Sequence, residues 1–210
     1  MLASLPILTV LEDLLACGDT VYKIEGIISG TLSYLFNTYD GSVPFGQVLQ
    51  EAQKMAMTEP DPREDLSGMD VARKLLILAR KMGWTLNLSD VSVQNLVPEA
   101  LQKGRFTDQF FKEMDRYENE LKKRVMRCKA EGKVLRYIGT LHNGKATTQL
   151  QEIPIDHPLA LSCHSDNIIS FTTYHYMKAQ LVIRGPGAGV ECTALGVFSD
   201  ILKLVSYLPD

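Results

Sequence analysis

The segment "KVLRYIGTLHNGKATTQLQEIP", Lys133–Pro154, decides the fold class of this 210-residue chain. From Gly132 onward the hydrophobic pattern takes a period of two, and Asn143-Gly144 falls in its middle. A two-residue hairpin turn of type I′ needs positive φ at both central positions, which asparagine and glycine supply most readily. The segment therefore predicts an antiparallel hairpin. Downstream, "NIISFTTYHY" and "AQLVIRG" predict two further strands. The run "GPGAG" then opens a last helix carrying Ala194, Val197, Phe198, Ile201, Leu202 and Val205.

Upstream of the hairpin the period changes to that of helices. A long charged helix is predicted from about Thr107 to Glu131, preceded by a looser section, "WTLNLSDVSVQNLVPEALQKG". Ser67–Met82 is the best-marked helix, with Ser67 and Asp70 spaced as a capping box and Leu66 as a staple. Phe45–Met57 and Leu5–Ala16 show helical spacing as well. Between them "VYKIEGIIS" reads as a strand running into "GTLSYLFNTYDG", a short helix that Ser29 or Thr31 can cap. Helices fill the first two thirds and mostly antiparallel strands the last third. The expected fold class is α+β, a mixed, mostly antiparallel sheet covered by helices, forming one domain over 1–210 without an internal repeat.

Composition narrows the function classes. The chain is 45% hydrophobic and 22% charged, enough to bury a sizeable core. A formal charge of −3 with no basic block argues against nucleic acid as a partner. No apolar run approaches the roughly 20 residues of a membrane span. The opening "MLASLPILTVLEDLL" has no basic leader and meets Glu12 and Asp13 early, so a soluble, intracellular protein is expected. Cys17, Cys128, Cys163 and Cys192 and the four histidines are too scattered for zinc-ligand spacing.

The densest chemistry lies in "TEPDPREDLSGMDVARK", Thr58–Lys74, where Glu59, Asp61, Glu64, Asp65 and Asp70 crowd into twelve positions. Glu59 and Asp61 each precede a proline, which holds them in extended geometry and makes a stiff strut for charged groups. At about 100° per residue, Asp70, Lys74 and Lys81 share one stripe of the following helix, and Ile77 interrupts that polar arc. Two explanations stand side by side. Asp70 could simply complement the helix dipole and pair with Lys74, contributing about 0.2–1 kcal/mol. Alternatively the carboxylates grip a ligand ammonium while the lysine exchanges a proton.

"GIISGTLSYLFN", "TEPDPREDLSGMDVARKLLILAR", "GKVLRYIG", "DNIISFTT" and "RGPGAGVECTALGVFSDIL" together resemble the catalytic and dimerisation half of the homoserine dehydrogenases of plant, fungal and aspartokinase-linked type. The resemblance implies reversible reduction of L-aspartate 4-semialdehyde to L-homoserine with NADP or NAD, on the route to threonine and methionine. It implies that Lys74 donates the proton to the carbonyl oxygen, that Asp70 orients substrate and lysine, and that Glu59 grips the amino group with Asp65 in support. Asp61, Arg63 and Glu64 are left structural. Gly185, Gly187 and Gly189 of "GPGAG" would lie against the cofactor, as would Ala56, which stands where the family has glycine, and "SGT" (Ser29–Thr31) could present a helix N-terminus to the substrate carboxylate. A homodimer is implied, in the cytoplasm or, in a plant, a plastid.

The resemblance also has gaps. No strand, G-x-G-x-x-G, helix unit for a dinucleotide occurs in the sequence. Residues 185–210 would complete such a nucleotide-binding domain; the chain is read as a fragment, a truncated gene product or one part of a split enzyme with that domain as a separate partner, and alone it is expected to be inactive. "MLASLPI" matches a family crossover that binds sodium, but Leu2 and Ser4 replace its glycines, so no metal is assigned. A non-catalytic dimerisation or interaction module derived from the family is the alternative.

Overall fold

A computed structural model describes residues 5–206. The expected hairpin forms its backbone: β3 (Lys133–His142) and β4 (Lys145–Pro154) pair in register from His142 opposite Lys145 to Lys133 opposite Pro154. Asn143 and Gly144 take φ of 50° and 73°, as the turn requires. Around the hairpin the sheet runs β2-β4-β3-β1-β5-β6, with β1 at Val21–Ile27, β5 at Asp166–Thr173 and β6 at Leu181–Pro186. Every pairing is antiparallel except that of β2 (Val91–Val93), which lies parallel to β4 and fell inside the section read as loose. The mixed, mostly antiparallel sheet covered by helices is thus the observed fold class.

The helices among the described residues are α1 (Ile7–Ala16), α2 (Gly30–Thr38), α3 (Phe45–Lys54), α4 (Pro62–Leu66), α5 (Met69–Lys81), α6 (Gln109–Met114), α7 (Asn119–Ala130) and α8 (Val190–Ser206). One main core joins Leu11, Leu32, Leu35, Leu49, Leu75 and Ala79 of the helices to Ile24, Leu141 and Phe171 of the sheet. A smaller one gathers Ile27, Ile138, Ile153 and Ile168 beneath Leu159. That alternation along β1 and β3 is the period-two pattern of the sequence expressed as two buried faces.

Several helix boundaries differ from the sequence expectation, α3 among them, which ends at Lys54, short of Met57, with Ala56 left-handed beyond it. The Ser67/Asp70 capping box is not made: α5 begins at Met69, its N-cap is Gly68 at φ 73°, and no side chain caps it. Ser67 instead donates its hydroxyl to the Glu64 carbonyl at 2.6 Å and accepts from the Met69 N–H at 3.2 Å. The cause lies in α4, which Asp61 caps by accepting the Arg63 N–H at 3.1 Å, so that the extended strut is confined to the residues before Pro62. The chain must then turn sharply at Gly68, where a β-carbon would lie 1.9 Å from the Tyr137 hydroxyl oxygen. The long helix of 107–131 is also divided, into α6, a 3-10 turn at Asp115–Tyr117 and α7. The division aims Asp115 and Glu118 at the start of α3, where they accept the Gly46 N–H at 2.9 Å and the Phe45 N–H at 2.7 Å. Those bonds satisfy donors that Pro44, the N-cap of α3, has no side chain to reach.

No helix among the described residues is long and apolar enough to cross a membrane. Neither a disulfide nor a cluster of metal-ligating side chains occurs among them. Of the sodium-type crossover "MLASLPI", residues 1–4, with Leu2 and Ser4, lie outside the described residues.

Candidate active site

Helix α5 buries Val71, Ala72, Leu75, Leu76, Leu78 and Ala79, which leaves Asp70 and Lys74 on its edge one turn apart. Their charged ends meet at 2.6 Å, with the Lys74 side chain 18% exposed and that of Asp70 59% exposed. Lys74 Nζ also donates to the Ile28 carbonyl, just beyond β1, at 3.0 Å. An ammonium group has three N–H donors, so with these two partners among the described residues a third is left for an acceptor at the site. Lys81, on the same stripe by the helical wheel, is drawn away to Glu12 of α1 at 2.5 Å, and Ile77 is 40% exposed.

The acidic segment is fastened to the same place. Asp65 accepts the Glu59 N–H on Oδ2 at 2.9 Å, and its Oδ1 lies 2.8 Å from the Thr31 hydroxyl oxygen. Thr31 in turn donates to the Met57 carbonyl at 2.6 Å. Burial pushes the Asp65 carboxyl above the usual carboxylate range against its hydrogen bonds, and the Glu59 charge adds to the rise. Asp61 and Arg63 bind each other at 2.6–3.0 Å, which holds the Asp61 carboxyl below its ordinary value. The Arg63 guanidinium also caps the Phe106 ring at 5.8 Å, so this pair closes the outer side of the loop.

Ser29 is the N-cap of α2, accepting the Leu32 N–H at 3.2 Å. Three residues, Ile28, Ser29 and Thr31, therefore tie the lysine, the first turn of α2 and the acidic segment together. Neither the Ile28 carbonyl nor the Thr31 link was foreseen as a site contact. A backbone carbonyl leaves no residue signature, and "SGT" announces a helix start without saying which acid it will hold. Glu59 is exposed, and its carboxylate makes no ion pair with Lys74 among the described residues.

The glycine run leaves the sheet at the same end. Ile27 pairs with Ile168 and Asn167 with Gly185, so "GPGAG" departs two strands over from Ile28, about 10 Å at ordinary strand spacing. The fit to a dinucleotide cofactor is confined to its reacting end. A β-carbon on Gly187 would lie 1.5 Å from the buried Asn167 amide, so that glycine serves packing, whereas nothing lies within 4 Å of the position at Gly189. Gly189 and the start of α8 are thus where backbone could approach a nicotinamide. Ala56 is exposed and sits at φ 54°, in the left-handed region, one residue before the Met57 carbonyl that Thr31 holds. A left-handed L-residue costs about 1–2 kcal/mol, partly offset by the entropy glycine loses on folding. Ala56→Gly should therefore raise the stability by about 0.5–1 kcal/mol, measurable as a higher midpoint in urea; a lower midpoint would contradict the strain.

A mixed sheet covered by helices thus presents a lysine set between a carboxylate and a carbonyl, with an acidic segment fastened beside it. The homoserine dehydrogenase family model matches residues 6–202, and the chain belongs to that family, whose members use NAD(P). It is 48% identical over 208 residues to the chloroplastic bifunctional aspartokinase/homoserine dehydrogenase 2 of Arabidopsis thaliana, a match covering 98% of this chain and 23% of that protein. It is 41% identical to the homoserine dehydrogenase of Schizosaccharomyces pombe, covering 98% of this chain and 57% of that one. A crystal structure of a Candida auris protein of unknown function superposes with a TM-score of 0.93 at 39% identity, covering all of this chain and 60% of the other. The chain thus spans about a quarter of its bifunctional relatives.

Proposed function

We propose that this chain is the catalytic region of a homoserine dehydrogenase, reducing L-aspartate 4-semialdehyde reversibly to L-homoserine in threonine and methionine biosynthesis. The observation that carries the reading is the Lys74 ammonium, fixed by Asp70 and the Ile28 carbonyl with one N–H left over. The nicotinamide of NAD(P), when bound, supplies the hydride. Lys74 meets the aldehyde oxygen and gives it a proton as negative charge develops there, and in the reverse direction it takes the proton back. Asp70 holds the ammonium in place until that moment. Glu59 provides the carboxylate for the substrate ammonium, and Gly185, Gly189 and Ala56 form the side facing the cofactor, while Gly187 packs on Asn167. The compartment is the cytoplasm, with a plastid as the alternative that the chloroplastic relative supports. The reading is tested by mixing the chain with the nucleotide-binding domain of a relative and following NADPH oxidation by aspartate semialdehyde. Turnover is expected in the mixture and not with either part alone; a mixture that binds NADPH yet never turns over would overturn the assignment.

A non-catalytic docking module is the second reading, favoured by the strained Ala56 at the cofactor side. In both, the nucleotide-binding domain seats on α8, where Leu195, Phe198, Ile201, Leu202, Leu204 and Val205 are each more than half exposed. The isolated chain should accordingly bind a hydrophobic dye or self-associate through this face, and addition of the domain should reduce both. A monodisperse monomer without dye binding would show the face to be covered in some other way.

A further inference from the structure

In the acidic segment one threonine hydroxyl lies within hydrogen-bond distance of two acceptor-type oxygens. Thr31 Oγ1 stands 2.6 Å from the Met57 carbonyl oxygen and 2.8 Å from Asp65 Oδ1. Both neighbours are oxygens, and a hydroxyl has one hydrogen to donate. The carbonyl can only accept, so the Thr31 hydrogen belongs to Met57. The contact with Asp65 then needs a hydrogen from the other side, or it places two sets of lone pairs face to face. The second Asp65 oxygen is occupied differently, as the acceptor of the Glu59 N–H at 2.9 Å.

We infer that Asp65 is a positioning residue that works as a neutral carboxylic acid, its Oδ1–H donating to Thr31 and its Oδ2 accepting from the Glu59 N–H. The relay Asp65 to Thr31 to Met57 clamps the Glu59 segment onto the first turn of α2. This rests on the proposed dehydrogenase reading for its consequence, because it changes how the acidic set recognises an amino-acid substrate. Asp65 fixes where Glu59 stands and contributes no charge of its own to the substrate ammonium.

The surroundings favour the proton. Helix α2 presents no charged residue anywhere along Gly30–Thr38, only the Thr31 hydroxyl. On the acidic segment itself the neighbours are Glu59 and Glu64, while Arg63 is held by Asp61 and Lys74 of α5 by Asp70. Glu59 acts on Asp65 by charge in the direction of keeping the proton, in line with burial. The sign for stability follows. A carboxyl whose folded value is raised contributes stability in full below its unfolded value, and loses it as pH rises through the folded value. Deprotonation would therefore loosen the Thr31 contact and the Glu59 segment together.

Three variants and one titration test this. The Asp65 carboxyl carbon, followed by NMR in the chain itself, should titrate above the ordinary aspartate range, with the Glu59 amide shifting at the same midpoint. A midpoint at or below the ordinary range would overturn the inference, and this measurement needs neither substrate nor turnover. In the chain combined with a nucleotide-binding domain, Asp65→Ala and Thr31→Val should each raise KM for the semialdehyde by about tenfold, the loss of one buried hydrogen bond, with a smaller change in kcat. Asp65→Asn, whose amide N–H2 can donate to Thr31 while its carbonyl accepts from Glu59, should rescue most of that loss. If Asp65→Asn instead raises KM as much as Asp65→Ala does, the carboxylate acts by charge and the inference fails. Should the mixture show no turnover at all, the dehydrogenase reading fails while the titration still decides the proton.

Discussion

Replacing Lys74 with alanine is expected to lower kcat by about 10²–10⁴-fold, the usual contribution of a placed general acid, with KM for the semialdehyde much less affected. The loss should appear in the rate because Lys74 is held by Asp70 and the Ile28 carbonyl before any substrate arrives. In the proposed reaction its remaining N–H would meet charge that exists only as the aldehyde oxygen becomes an alkoxide. Folding should be nearly untouched. A partly exposed i,i+4 pair contributes about 0.2–0.5 kcal/mol, so the thermal midpoint of the variant should stay within a few degrees. Asp70→Asn should act in the same direction but less severely, since the carbonyl of Ile28 still locates the ammonium. A Lys74→Ala enzyme retaining more than a tenth of the parent kcat would remove the lysine from the chemistry.

The second large effect is structural. Gly68→Ala is expected to destabilise the chain by about 3–5 kcal/mol, from a left-handed L-residue and from overpacking. For a chain of this size that lowers the melting temperature by about 10 °C. Two independent facts converge on this residue: its φ of 73° and the 1.9 Å separation between the added β-carbon and the Tyr137 hydroxyl oxygen. That hydroxyl donates to the Gln94 carbonyl at 2.7 Å and lies 3.0 Å from the buried Thr148 hydroxyl, so it cannot move aside without breaking these bonds. Because Asp70 is the second residue of α5, the same change should displace it and depress activity. Gly68→Ala with an unchanged melting temperature would mean that the turn can relax without cost.

Much of the architecture was legible because it is written in local patterns. The hairpin at Asn143-Gly144 needs only its own turn chemistry, and α5 announces itself by its apolar spacing. What escaped is non-local. The Ser67/Asp70 box satisfies the local rule, yet Tyr137, from a distant strand, fixes the bend at Gly68 and moves the helix start. The predicted 107–131 helix is divided where Asp115 and Glu118 serve α3, an element far earlier in the chain. Strand β2 has only three residues, too few for a period to show, and its parallel pairing depends on β4. At the site, Lys74 with Asp70 and the acidic loop stood out by residue type and spacing. The anchors at Ile28 and Thr31 did not, because one is a backbone carbonyl and the other looks like an ordinary helix cap.

The position of β1 has a consequence for the order in which the molecule comes into being. Both of its neighbours, β3 and β5, emerge from the ribosome more than a hundred residues after it. Ring closures of that length must precede the contacts that reward them, which slows maturation. Until those two strands arrive, the oxygen that steadies the Lys74 amine hangs at the end of an unflanked ribbon, so the candidate site sets only after both have been synthesised.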